Sequence, residues 1–206
     1  MPWPASAKAA KPTKPKSVAA VITAYEHGLH ADVLIGKILE GWKQDGGPGP
    51  ALTLASMYVD QFTGRDMARP MAKKYGVPIF DTIEKAVTVG GDQIPVDGVI
   101  SVGEHGRYPS NSKGQVLHPR RRFFEAITDT FEKYGCVVPV FNDKHLSWNW
   151  DWCREMYDIS LELGFALMAG SSLPVTWRLP DLELPFDCGI EEALMIGVGG
   201  SDAMDY

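Results

Sequence analysis

The stretch Cys136-Val137-Val138-Pro139-Val140-Phe141, followed at once by Asn142-Asp143-Lys144-His145, decides how the chain reads. A short apolar, β-branched run is what a strand buried on both faces of a parallel sheet looks like in sequence. Such a strand opens at its carboxyl end onto a binding crevice. A lysine delivered there, between an acid and an imidazole, is placed to exchange a proton with a small molecule. The segment alone also admits a plainer reading, in which Asp143 caps the next helix and Lys144 is a solvated charge.

The same pattern recurs at three other places. Residues 17–23 (SVAAVIT) run into Ala24-Tyr25-Glu26-His27-Gly28-Leu29-His30. Residues 52–59 (LTLASMYV) end in Asp60, and residues 96–102 end in Gly103-Glu104-His105-Gly106. Each run is followed by a stretch with helical spacing, as expected of βαβ units. The expected fold is therefore α/β, a doubly wound, mostly parallel Rossmann-like sheet, with the start of a second α/β domain at most. In a parallel sheet the polar strand ends share one edge. Glu26, His27, His30, Asp60, Glu104, His105, Asp143, Lys144 and His145 would meet there, and they include four of the chain's five histidines.

The intervening segments place the helices. Leu29, Val33, Leu34, Ile38, Leu39 and Trp42 have helical spacing, and residues 45–50 (DGGPGP) are a loop by composition. A second helix fits 66–74, a short strand 77–80, and a third helix 81–87 with Asp81 as its cap. Arg107–His118 reads as a loop long enough to cover a site. Pro119 should start a helix to Lys133 with Phe123, Phe124, Ile127 and Phe131 inward, a further helix runs 148–163, and a sixth strand 165–168. The first sixteen residues, with four lysines and no acid or apolar core, read as a disordered tail rather than a signal peptide.

Composition narrows the function. The 206 residues, 45% hydrophobic, suffice for one good core. A formal charge of −6 argues against a nucleic-acid partner, and no run is long enough to span a membrane. Cys136, Cys153 and Cys188 are odd in number and widely spaced, which suggests no disulfide framework and a cytoplasmic setting, with Cys136 a buried strand residue. A small-molecule substrate is the expected partner, and a homo-oligomer is compatible with the chain.

Taken in order, these motifs resemble the N-terminal domain of the glucose–fructose oxidoreductase/inositol dehydrogenase/MocA-like (Gfo/Idh/MocA) oxidoreductases. Asp143-Lys144-His145 stands where that family has a strand ending in Glu-Lys-Pro with a catalytic lysine. Residues 72–81 (AKKYGVPIFD) look like the family's stretch before its third strand, Val96–Ile100 is similar to its fourth strand, and Phe165–Arg178 resembles the strand and arginine that follow. The resemblance covers roughly 18–178. It implies catalysis by Lys144 with Asp143 and His145, and a nicotinamide cofactor, NAD or NADP, held by Asp60, Glu104, His105 and Gly28. A sugar or polyol would be the substrate.

Two features depart from the family. Its first turn is glycine-rich so that backbone can approach a diphosphate; here residues 23–28 (TAYEHG) hold one glycine and a carboxylate that would repel phosphate. The family's substrate domain should follow, yet the sequence ends at Tyr206, soon after Ile190–Ile196 could begin it. A fragment, a shortened product, or a domain acting alone or with a partner are all compatible. Two other functions therefore stand beside the oxidoreductase. One is a metal-dependent enzyme using Glu26, His27, His30, Glu104 and His105. The other is a binding module that has lost the cofactor, for which Arg120-Arg121-Arg122 is either an anion site or a solvated helix face.

Overall fold

The computed structural model describes residues 14–176, together with 182, 184, 185, 187–194 and 196. Six parallel strands form one sheet: β1 (Lys16–Ile22), β2 (Leu52–Val59), β3 (Ile79–Phe80), β4 (Gly98–Val102), β5 (Val140–Asp143) and β6 (Leu167–Gly170). Their order across the sheet is β3-β2-β1-β4-β5-β6. The chain steps outward from β1 to β3, then returns to the other side of β1, so the switch point lies between β1 and β4. In open α/β sheets the crevice at such a point, beyond the strands' carboxyl ends, is where ligands bind. Hydrogen bonds extend the pairing past the strands, with Thr23 N–H donating to Val102 O at 3.1 Å and Lys144 N–H to Gly170 O at 2.7 Å.

Alternation along β1 divides the core in two. Val18, Ala20 and Ile22 face helix α1 (the turn Asp32–Gly36 continued by Lys37–Glu40) and helix α2 (Ala68–Tyr75), packing on Ile35, Met71 and Ala72. Ala19 and Val21 face the other layer, α3 (Ile83–Val87), α4 (Arg120–Tyr134) and α5 (Trp150–Leu163). The inward set expected on α4, Phe123, Phe124, Ile127 and Phe131, is buried there. Caps fix the helix ends: Asn149 accepts from Trp152 N–H at 3.1 Å, and Gly76, Gly135 and Gly164 end α2, α4 and α5 in the left-handed conformation.

Several boundaries differ from the sequence reading for local reasons. Strand β5 begins at Val140, because Gly135 and Cys136 complete the end of α4 and Pro139 has no N–H to pair. Cys136 is accordingly exposed, not a buried strand residue. The first helix, α1, opens with a π-helical turn over Asp32–Gly36, becomes α-helical over Lys37–Glu40, and stops at Gly41. Thr82, not Asp81, caps α3, and Asp81 pairs with Lys85 instead. Lys16, expected in the tail, starts β1; the tail before residue 14, Arg178 and most of the segment after 176 lie outside the described residues.

Phe123 is fully buried, with its ring edge-on to Tyr58 at 5.9 Å. Phe123→Ala should cost about 3–5 kcal/mol, read as a lower urea midpoint with an unchanged slope.

Candidate active site

Parallel strands bring the polar ends of β1, β4 and β5 together. Asp143, wholly buried at the end of β5, meets His30 from the segment after β1: Asp143 Oδ2 and His30 Nδ1 are 2.6 Å apart. Ser172, just beyond β6, places its Oγ 2.9 Å from the same nitrogen. A carboxylate can only accept, so in this pair Nδ1 carries the hydrogen and Nε2 is the ring's other nitrogen. Asp143 Oδ1 is buried with no hydrogen-bond partner among the described residues.

Lys144 follows, nearly buried, in the left-handed conformation at φ +65°. His105, after β4, has the same φ of +65°, and its ring centroid lies 5.3 Å from that of His30. Non-glycine residues held there cost about 1–3 kcal/mol each and gather at functional sites. Burial, reinforced by His30, Lys144 and His118, pushes the His105 imidazole down to about 4, against a weaker pull from Asp143. His105 is therefore neutral at pH 7. His145 is half-buried at the loop's next position, its carbonyl accepting from Asn142 Nδ2 at 3.2 Å.

The turn after β1 is closed by the chain's own acids. Gly28, at φ +75°, donates its N–H to Asp32 Oδ2 at 2.8 Å, and His27 Nδ1 lies 3.1 Å from the same oxygen. Glu26, almost buried, pairs with Arg65 at 2.7 Å. A cavity of about 470 Å³ sits above this turn, walled by Glu26, Leu29, Thr63–Arg65 and His105–Arg107.

Asp60, expected to hold a ribose, is instead occupied by protein. Its Oδ1 accepts from Tyr58 and Arg122, at 2.6 and 2.7 Å, and its Oδ2 accepts from Tyr108 at 2.7 Å. Burial alone would raise this carboxyl, but those three hydrogen bonds outweigh it and hold it below its usual range. Asp60 thus tethers the loop after β4. Glu104, expected at the cofactor, forms a buried ion pair with Arg120 and lies 3.9 Å from His118. The close approach of Arg120 requires Gly103, where a Cβ would come 2.5 Å from the arginine's Cγ.

Each of the three consecutive arginines is paired with an acid, Arg120 buried and Arg122 still half exposed to solvent. Arg120 goes to Glu104, Arg121 to Glu125 and Glu155, and Arg122 to Asp60. The alternative metal set is likewise dispersed, since Glu26 and Glu104 are held by arginines, His30 by Asp143, and His27 is largely exposed. Among the described residues no group of three or more His, Cys, Asp or Glu side chains could hold a metal ion. Asp32, Ser172, Tyr108 and Arg120 escape a reading confined to strand ends. Arg120 is singled out only as part of the arginine run, and Asp32 and Tyr108 lie two and three residues beyond His30 and His105.

No family model matches the chain, and no curated protein is similar to it. Solved structures similar to it include myo-inositol 2-dehydrogenase from Lactobacillus plantarum, at 14% identity and a TM-score of 0.47 over 76% of this chain. Biliverdin reductase from Synechocystis sp. PCC 6803, in complex with biliverdin and NADP+, is similar at 15% identity and a TM-score of 0.46 over 75%. A Gfo/Idh/MocA family oxidoreductase from Vibrio cholerae is similar at 17% and 0.46, also over 75%. The chain spans 36–38% of the length of these proteins. No helix among the described residues is long and apolar enough to cross a membrane.

The His105 shift sets a pH dependence. Between its ordinary 6.5 and about 4, the unfolded chain binds a proton that the folded chain does not. Stability from this group is therefore intact above 6.5 and is lost as pH falls toward 4. Thermal melts from neutral to mildly acid pH should show a decline that is shallower in His105→Gln.

Proposed function

We propose that the chain carries the catalytic crevice of an oxidoreductase of the Gfo/Idh/MocA type, in which Lys144 exchanges a proton with a substrate hydroxyl or carbonyl. One observation carries this reading: a nearly buried lysine, in the left-handed conformation at a strand's carboxyl end, beside the His30–Asp143 pair and a neutral His105. A lysine held at a strand end that opens on a crevice is placed for acid–base work. Asp143 anchors His30, and the unbonded Asp143 oxygen adds negative charge where a protonated amine would form. Neutral His105 can donate or accept a hydrogen bond without adding positive charge beside Lys144. His145 would close the substrate side.

The finer substrate class we propose is a sugar or polyol. A cleft of about 580 Å³ on the α4 side of the crevice is lined by Tyr108, His118, Trp148 and Trp152, with Lys144 and His105 outside its lining. Aromatic walls with Arg121 and Glu125 at the rim suit a hydroxylated ring. A cytoplasmic setting fits three cysteines that are all free.

A nicotinamide cofactor fits the crevice in part. The 470 Å³ cavity offers Arg65 and Arg107 to phosphate, and these with the backbone of residues 63–64 would hold it. The turn offers less, because Asp32 holds the Gly28 N–H that would otherwise meet a diphosphate. When bound, a nicotinamide supplies the hydride acceptor or donor. Everything else at the centre falls to Lys144, His30, Asp143 and His105.

Lys144→Met should lower turnover of an oxidisable sugar or polyol by about 10²–10⁴-fold with an unchanged melting temperature. Full activity in that variant would overturn the assignment.

A further inference from the structure

Lys144 holds its left-handed backbone in a stretch with no glycine to take the bend, since residues 136–163 contain none. At the corresponding bend after β4, His105 is followed at once by Gly106, itself at φ +98°. A lysine does not choose this conformation unaided, so its surroundings must impose it. On the β6 side, Lys144 N–H donates to Gly170 O at 2.7 Å. On the other side the Asn142 amide spans the lysine: its Nδ2 donates to Asp143 O at 3.3 Å and to His145 O at 3.2 Å.

Those are the carbonyls of the residues immediately before and after Lys144. In an extended strand, carbonyls two residues apart are about 6.6 Å from each other, further than one nitrogen can reach at these distances. The double contact therefore exists only when the chain folds back at residue 144. Both carbonyls can only accept, so the amide nitrogen must face them and the oxygen is the atom left over.

Asn142 is otherwise out of place. It is 1% exposed, follows Val140 on the face that packs under α4, and lies opposite Ser101 on β4. Its Oδ1 has no hydrogen-bond partner among the described residues. Filling the strand does not explain this choice, because an apolar residue would leave no side-chain acceptor buried and unsatisfied. What the asparagine adds is its donors, and what the donors determine is the backbone around Lys144.

We propose that Asn142 is the positioning residue of this site, its amide holding Lys144 in the left-handed conformation that carries the amine into the crevice. This rests on the reading of Lys144 as the acid–base group, but it is tested without any substrate. Reductive methylation by formaldehyde and cyanoborohydride, followed at Lys144 by peptide mass spectrometry of the whole folded chain, reads how the amine is held. In the unaltered chain the nearly buried Lys144 should react more slowly than the exposed Lys113. Asn142→Leu keeps the branched shape and removes both donors, and Asn142→Asp keeps the shape and sets a carboxylate against the two carbonyls. Without the donors the lysine's own preference should empty the left-handed state, and Lys144 should react about tenfold faster in either variant. A second measurement is the coupling of melting temperatures. Lys144→Gly relieves the backbone only where the bend is enforced, so it should stabilise the unaltered chain more than the Asn142→Leu chain. An unchanged Lys144 rate in both Asn142 variants, or additive melting shifts, overturns the proposal and leaves the Lys144 chemistry standing. Full activity in Lys144→Met would instead remove the acid–base reading without moving either measurement.

Discussion

The contact between His30 and Asp143 is the constraint on which the crevice depends. The two residues are 113 positions apart and meet only because β1 and β5 run the same way on either side of β4. An antiparallel β5 would carry Asp143 and Lys144 to the opposite edge of the sheet. The contact in turn requires the helix after β1 to begin close to the strand, and its π-helical first turn brings buried Asp32 back to Gly28. A change in this one pair would therefore be felt in the turn, in β5 and at Ser172 together.

A second regularity is charge balance. The crevice is rich in acids, and a buried carboxylate without a partner is costly. Nearly every acid has been given a partner from a distant element: Glu26 from Arg65, Glu104 from Arg120, Asp60 from Arg122, Asp143 from His30. These pairs cross-link the loops that form the rim. They hold the loop over residues 103–118 against the sheet through Asp60 and Tyr108, and they bring the first turn of α4 under β4. The polar rim is thus a preformed structure, built into the fold by the three arginines that open α4.

Much of this was legible from residue pattern. Strand runs and helical spacing located all six strands and the helices between them, because a strand buried on both faces is a continuous apolar run and a helix buried on one face keeps a helical period. The convergence of His30, His105, Asp143 and Lys144 followed from parallel topology alone. What escaped was partner choice. Nothing in the local pattern says that Arg120, Arg121 and Arg122 turn toward three different acid groups, or that Asp60 spends its oxygens on Tyr58, Tyr108 and Arg122. Side-chain pairing across 60 or 80 positions depends on how loops return to the sheet, and loops carry little periodicity. Boundaries failed for a smaller reason: at Cys136 and Asp81 the end of one element and the cap of the next competed for the same residues.

Strained residues also occur elsewhere, at Gln44 and Val89, but two of them meet an unsatisfied acceptor at the crevice. Lys144 and His105, both left-handed at φ +65°, flank the same crevice as the buried Asp143 oxygen that has no hydrogen bond among the described residues. Each lowers stability, and a fold selected for stability alone would lose them: glycine relieves the backbone at either position, and asparagine in place of Asp143 removes a buried charge. Two continuous apolar layers on either side of β1 supply the stability that lets these features persist. Strain, burial and an open acceptor at one strand edge, against a well-filled core elsewhere, are what a site held ready for a reactant requires.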